Sequence, residues 1–326
     1  MKKILLIGGA GYVGTELTLL LLKNDYLVTV YDLFIYGDCI GNHENLIKIK
    51  GDVRDIKKIE KSIQGQDLVI HLACISNDPS FDLNPELAKS INYDFFEDFV
   101  KRCKDNGVKK LLFASSSSVY GVKKEKNVSE DISLEPLTDY SKYKAMCEEV
   151  VLKYYDKNFI CCILRPATCC GYSKRQRFDL IVNILTNHAF NKKIIKVFGG
   201  EQLRPNINII DMCRAYMHIL NSSDDLINGE IFNVGQENLS VNEIAILVKN
   251  VFKEENIEII REKTDDNRSY HISSKKIISK LGFVYDNNIE GAINNLKACF
   301  KKNLFKNPMD NTEYFNIKRM KEINLI

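Results

Sequence analysis

The sequence predicts an α/β protein in which a doubly wound parallel sheet carries a smaller C-terminal α/β lobe. Three observations lead there. Short β-rich runs alternate with helical stretches from the first residue, several runs are continuously apolar, and a glycine-rich turn joins the first run to the first helical stretch. Strands are predicted at Lys3 to Ile7, Leu27 to Asp32, Leu46 to Lys50, Asp67 to Leu72, Lys109 to Ala114 and Phe159 to Arg165. Continuous apolar character implies that both faces of the sheet are covered. The covering helices are predicted at Tyr12 to Lys23, Pro85 to Asn106 and Asp139 to Tyr155, each with apolar residues three and four apart.

After Pro166 the rhythm loosens. Ala167 to Pro205 holds a helical stretch from Phe178 to Phe190 and a short strand at Ile194 to Phe198, and Glu230 to Val234 returns to the sheet. We therefore expect a dinucleotide-binding Rossmann domain from residues 1–166 and 206–235, and a substrate-binding lobe from 167–205 and 236–326. The cleft between them is the expected site, and the tail from Asn307 to Ile326 is expected to pack back on a lobe.

Composition narrows the function. With 326 residues, 45% hydrophobic and 27% charged, and a net charge of +3, the chain reads as an ordinary globule with no field concentrated enough for nucleic acid. No stretch approaches the roughly 20 apolar residues of a membrane span, and the opening MKKILLIGG runs into glycines rather than a cleavage site, so a cytoplasmic protein is expected. Ten cysteines include the adjacent pairs Cys161–Cys162 and Cys169–Cys170 but no CxxC pair. Neighbours on a strand point to opposite faces, so buried reduced thiols are expected and no metal.

The turn GGAGYVG places Gly8, Gly11 and Gly14 between strand and helix, with Tyr12 and Val13 at the helix start. Such a turn brings backbone amides and a helix N-terminus up to a pyrophosphate. Asp32 ends the second strand, where a carboxylate accepts bonds from both adenosine ribose hydroxyls and repels a 2′-phosphate, favouring NAD over NADP. Asp52, in GDV after the third strand, is a candidate for the adenine amino group, with an exposed strand-end carboxylate as the alternative.

Further on, SSSSVYG follows the fifth strand and TDYSKYK opens a helix, placing Tyr140 and Lys144 one turn apart on one face. A tyrosine beside an ammonium can accept a proton from an alcohol near neutral pH, and a serine at the preceding strand end would hold the same oxygen.

The chain resembles the extended short-chain dehydrogenase/reductase family, particularly its NAD-dependent nucleotide-sugar epimerases and dehydratases of the UDP-glucose 4-epimerase kind. The motifs GGAGYVG, GDVRD, HLACIS, INYDFF, SSSSVYG, YSKYK, RPATCCG, FGGEQLRPN and DDNRSY occur in the family's order. The resemblance implies Ser116 as the catalytic hydroxyl, with Ser115 as the alternative, Tyr140 as base and Lys144 on the nicotinamide ribose. It implies Asn92 as the asparagine that supports the lysine through water, and Val53, Leu72 and Ala73 as cofactor contacts. Ser76, Ser117, Thr168, Arg204 and Arg268 are implied on the nucleotide-diphosphate sugar, the two arginines at its diphosphate. A homodimer paired through the helix near Asp139 is also implied.

Departures choose among reactions. Sugar 4,6-dehydratases of the family carry an Asp-Glu pair after the catalytic hydroxyl, where this chain has Ser117 and Ser118, so dehydration is disfavoured. His188, in an apolar run, is read as structural. Thr168 stands where many relatives have a phosphate-contacting asparagine, and Tyr143 replaces a small residue. The expected activity is 4-epimerisation of a nucleotide sugar through transient oxidation. Net dehydrogenation or 4-keto reduction, and a non-catalytic dinucleotide-binding protein, are the alternatives.

Overall fold

The computed structural model describes residues 1–264 and 269–325. Its strands are β1 (Lys3–Ile7), β2 (Leu27–Asp32), β3 (Leu46–Lys50), β4 (Leu68–His71), β5 (Lys110–Ala114), β6 (Ile160–Pro166), β7 (Thr168–Cys170), β8 (Ile194–Phe198), β9 (Leu203–Asn208), β10 (Glu230–Val234), β11 (Glu237–Ser240) and β12 (Glu258–Glu262). Seven of them form one parallel sheet in the order β3-β2-β1-β4-β5-β6-β10, the doubly wound Rossmann arrangement predicted.

Strand periodicity explains why both faces are apolar. In β1, Ile4 and Leu6 enter one core while Leu5 and Ile7 enter the other, all fully buried. Cys161 and Cys162 divide the same way, and all ten cysteines are free thiols. Burial pushes the Cys161 and Cys162 thiols well above their ordinary range, as inert core residues.

The helices are α1 (Tyr12–Lys23), α2 (Ile56–Ile63), α3 (Asp78–Phe81), α4 (Pro85–Lys89), α5 (Phe96–Asp105), α6 (Asp139–Tyr154), α7 (Ile181–Lys192), α8 (Ile209–Asn221), α9 (Asp224–Ile227), α10 (Val241–Val251), α11 (Lys275–Leu281), α12 (Ile289–Lys301) and α13 (Asn316–Glu322). α1 packs on α8 over one face of the sheet, and α5 packs on α2 and α6 over the other. The helix predicted from Pro85 to Asn106 is instead α4, a π-helical turn at Ser90–Asp94, and α5. A π turn holds one residue more than an α turn, and here it carries the buried Asn92.

The lobe contains a two-stranded parallel sheet, β8 with β12, packed by α7, α10 and α12. A three-stranded sheet, β11-β9-β7, joins it to the larger unit. β9 runs unbroken past position 205, so the two units share a strand there rather than a linker. The tail does pack back. Met320 is buried in a core of the large sheet, and the Arg319 Nε donates to the Ile35 carbonyl at 2.6 Å.

Candidate active site

The glycine turn is built for close approach. Gly8 has φ +83°, and a Cβ there would lie 2.5 Å from the Ala73 amide nitrogen; a Cβ on Gly14 would lie 2.1 Å from the Gly8 carbonyl oxygen. Gly11 caps α1 without a side-chain bond, leaving the first amides of a twelve-residue helix for a ligand. Asp32 is held in place by two backbone donors, Ala10 N to Oδ2 and Phe34 N to Oδ1, each at 2.9 Å. Burial pushes its carboxyl above the ordinary value.

These groups open on one cleft. Gly8, Gly11, Tyr12, Gly14, Asp32, Val53, Leu72 and Ala73 line it, as does Ser76. Tyr12 also spans the two units, donating to the Gly171 carbonyl at 2.7 Å and accepting from Asn183 Nδ2 at 3.0 Å. Val13 instead packs beside a core of the sheet. The Asp52 carboxylate is gripped by Arg54 through Nε at 3.0 Å and Nη2 at 2.6 Å, which holds it below the ordinary range. Asp52 is thus paired with its neighbour Arg54 at the end of β3.

The proton-transfer groups come from two elements. β5 stops at Ala114, and the two serines that follow separate by function. Ser115 is 3% exposed and donates to Glu148. Ser116 caps the short 3₁₀ turn Ser117–Tyr120, bonds the Ser118 hydroxyl at 2.8 Å and lies in hydrogen-bonding reach of the Tyr140 phenol. Tyr140 sits in the first turn of α6, fixed by a capping box between Thr138 and Ser141. Lys144, one turn on and 4% exposed, donates from Nζ to the Ala114 carbonyl at 2.6 Å and lies over the Phe113 ring.

Burial pushes the Tyr140 phenol well above its ordinary value, Cys74 and Asp78 add to the rise, and Ser116 and Arg177 oppose it. The Lys144 ammonium is turned to the carbonyl at the end of β5. Asn92 is anchored to the loop after β4: Oδ1 accepts from Ile75 N at 2.8 Å and Nδ2 donates to the Ile75 carbonyl at 3.0 Å. It shapes the wall that follows β4.

Beneath the site lies a buried network. Glu148 and Arg165, each 3% exposed, pair through Nη2 at 2.6 Å, Arg165 Nη1 donates to the Tyr120 hydroxyl at 2.7 Å, and that hydroxyl donates to Asn233 Oδ1 at 2.8 Å. The network ties β6, α6, β10 and the turn of Ser116 together. His71, at the end of β4, is ringed by Phe95, Phe96, Phe99 and Phe113. Burial and then Lys144 lower its pKa to about 3, so it is a neutral core residue at physiological pH.

The residues expected on a sugar nucleotide are dispersed. Ser117 is buried beside Ser116, and Thr168 lies on β7 opposite Asn206 of β9. Arg204 on β9 stacks over Tyr270 and donates to the Leu203 carbonyl at 3.0 Å. Arg268 lies outside the described residues. Ser76 faces the cofactor cleft, where its hydroxyl accepts from Arg177 Nη1 at 3.1 Å and Asn316 Nδ2 at 3.0 Å. His188, on α7, is half-buried and held below its ordinary pKa by burial.

Arg175, Arg177, Tyr36, Asn316 and Leu325 also line the cleft, and the sequence reading did not single them out. The signal available was KRQRFD, alternating arginines just after the C-terminal end of β6 and β7, where doubly wound sheets bind ligands. Among the described residues no group of acidic, histidine and cysteine side chains forms a metal site, and no helix is long and apolar enough to cross a membrane. The features fit a dinucleotide: a glycine turn packed too closely for a Cβ at Gly8 or Gly14, a helix start whose amides carry no side-chain cap, the Asp32 carboxylate at the end of β2, and guanidinium nitrogens of Arg175 and Arg177 with no hydrogen-bond partner among the described residues.

Comparison with known proteins agrees. The sequence profile of the NAD dependent epimerase/dehydratase family matches residues 4–235. The chain is 26% identical over 285 residues to the low-salt glycan biosynthesis protein Agl12 of Haloferax volcanii, covering 84% of this chain and 90% of that one. It is 26% identical over 252 residues to a UDP-glucose 4-epimerase of Lactobacillus helveticus, covering 72% and 76%. A UDP-glucuronic acid 4-epimerase variant from Bacillus cereus, solved with UDP-4-deoxy-4-fluoro-glucuronic acid and NAD, superposes with a TM-score of 0.82 at 25% identity, covering 92% and 99%. The chain belongs to the NAD-dependent epimerase/dehydratase family and is an enzyme of the extended short-chain dehydrogenase/reductase type.

Proposed function

We propose that the protein is an NAD-dependent nucleotide-sugar 4-epimerase that works by transient oxidation at carbon 4. The observation that carries this reading is the Ser116–Tyr140 pair next to a turn whose following residues, Ser117 and Ser118, are hydroxyls. Redox chemistry at one carbon needs only the first pair; elimination of water needs a second acid and base, which two serines do not supply.

Ser116 and Tyr140 converge on one sugar hydroxyl. Ser116 accepts a bond from Ser118 or donates one to it, which fixes the Ser116 oxygen, and Tyr140 takes the sugar's proton on its phenol oxygen and later returns it. Bound NAD supplies the hydride acceptor and the nicotinamide charge that brings the Tyr140 phenol toward ionisation. Lys144 binds the nicotinamide ribose in this reading, and its bond to the Ala114 carbonyl fixes its position at the end of β5. The 4-keto sugar turns over in the cleft and receives hydrogen on its other face. Ser117, Thr168, Arg204 and Arg268 hold the sugar nucleotide, whose diphosphate suits guanidinium groups.

The same reading includes a homodimer paired through α6, where the half-buried Tyr143 stacks with the half-buried Tyr93 and with the buried Phe81. Ten unpaired cysteines suit a reducing, cytosolic setting. The test is incubation of the purified protein with UDP-, GDP- and dTDP-hexoses without added cofactor. Inversion at carbon 4 with no net change in reduced cofactor is expected. Reduced cofactor accumulating with turnover would instead identify a net dehydrogenase, and no conversion of any hexose would remove the epimerase reading.

A further inference from the structure

Between β7 and α7 the chain sends two arginines into the cofactor cleft. Arg175 is 3% exposed; its guanidinium stacks on the Tyr36 ring at 3.6 Å and donates from Nη2 to Asn316 Oδ1 at 2.8 Å. Its Nε and Nη1 are buried with no hydrogen-bond partner among the described residues. Arg177, 8% exposed, donates from Nε to Asp179 at 2.8 Å and from Nη1 to Ser76 at 3.1 Å, while Nη2 is buried without a partner among the described residues. Buried cationic donors left unmatched are costly, and they persist where a ligand completes them.

The surroundings say what the ligand carries. The same cleft is lined by Gly8 and Gly11, whose turn presents helix-start amides, and by Asp32 at the ribose position. Asp179 offsets the charge of Arg177, but among the described residues Arg175 makes no carboxylate hydrogen bond. A diphosphate brings two negative charges and several acceptor oxygens, which match planar guanidinium donors. Asn316 organises the group from the far end of the chain. Besides accepting from Arg175, it donates from its backbone to Asp179 at 2.9 Å and from Nδ2 to Ser76 at 3.0 Å.

We propose that Arg175 and Arg177 are the cationic ligands of the diphosphate that joins the two halves of the dinucleotide, and that Asn316 is a positioning residue that aims Arg175. The proposal rests on a dinucleotide occupying this cleft and is independent of which sugar is converted. A sugar nucleotide shares the diphosphate chemistry, so the test separates the two sources.

Calorimetric titration of the cofactor-stripped, full-length protein uses four probes: NAD, ADP-ribose, adenosine and UDP. Arg175→Gln and Arg177→Gln are each expected to weaken NAD and ADP-ribose about 10- to 100-fold, the scale of a charge-assisted bond, and to leave adenosine and UDP within about twofold. Asn316→Ala shows the same pattern at about 3- to 10-fold, since it removes orientation rather than charge. Unchanged NAD affinity, adenosine weakened as much as NAD, or UDP as the ligand that loses affinity would each overturn the clamp. Should the variants fail to fold, the unaltered protein decides: NAD affinity falls with added salt while adenosine affinity does not, and equal slopes overturn the proposal. If the unaltered protein binds adenosine and NAD not at all, the cofactor reading of the cleft fails, and the clamp with it.

Discussion

Arg165 and Arg175 are equally withdrawn from solvent, each 3% exposed, yet they stand in opposite chemical situations. Every nitrogen of Arg165 has a partner: Nε and Nη2 on Glu148, Nη1 on the Tyr120 hydroxyl. Burial alone pulls its guanidinium down, and Glu148 more than reverses that. Among the described residues Arg175 has one hydrogen bond and two unpartnered nitrogens, and burial lowers it to about 10, still charged at neutral pH. Burial therefore does not separate scaffold from site here; saturation does. Tyr140 belongs with Arg175, since it is half-buried, beside Ser116, and raised well above its ordinary value by desolvation. Glu148 belongs with Arg165. His71 is a third kind, buried with both ring nitrogens unpartnered among the described residues and no charge to compensate.

The largest effect expected from this contrast is on turnover. Tyr140→Phe removes the proton acceptor and should lower kcat about 10²- to 10⁴-fold, with NAD affinity and melting temperature close to those of the unaltered protein. A variant that keeps its rate would move Tyr140 from the site to the scaffold. Next comes Glu148→Ala, which leaves the Arg165 charge buried and unpaired and should cost roughly 3–5 kcal/mol in urea unfolding. A loss under about 1 kcal/mol would mean the saturated network does not hold the sheet and α6 together.

His71 sharpens the third category through pH. Its folded pKa lies near 3 and its ordinary value is 6.5, so between these the unfolded chain binds a proton that the folded one does not. Its contribution is complete above pH 6.5 and is lost as pH falls toward 3, at about 1.4 kcal/mol per pH unit. His71→Phe, set among four phenylalanine rings, should remove that slope; an unchanged acid profile would contradict the burial assignment. The smallest effect is expected from Arg175→Met without cofactor. Because no saturated pair is broken, stability should change by less than about 1 kcal/mol, whereas a loss comparable to Glu148→Ala would erase the distinction.

The legible parts of the sequence were those where local signals and burial coincide. β1, α1, β2 and β3 fall where apolar runs and the glycine turn place them, because continuous apolar runs and glycine spacing are local properties. The long predicted helix divided at Asn92 because a side-chain bond to Ile75, distant in sequence, stabilises the π turn. α8 went unnoticed although Asn208 caps it and its apolar face is regular. Ser116 rather than Ser115 faces Tyr140 because Ser115 is claimed by Glu148, a partner 33 residues away. Arg175, Arg177 and Asn316 were illegible for the same reason: their meeting depends on segments about 140 residues apart, Arg175 and Asn316 being separated by 141.

The central claim, that hydrogen leaves carbon 4 and returns to that carbon within one site, is tested most directly with sugar nucleotides deuterated at carbon 4. The inverted product should retain the deuterium at carbon 4, with none appearing in solvent or in free reduced cofactor. Inverted product that has exchanged its label with solvent, or label collected in released cofactor, would contradict the account.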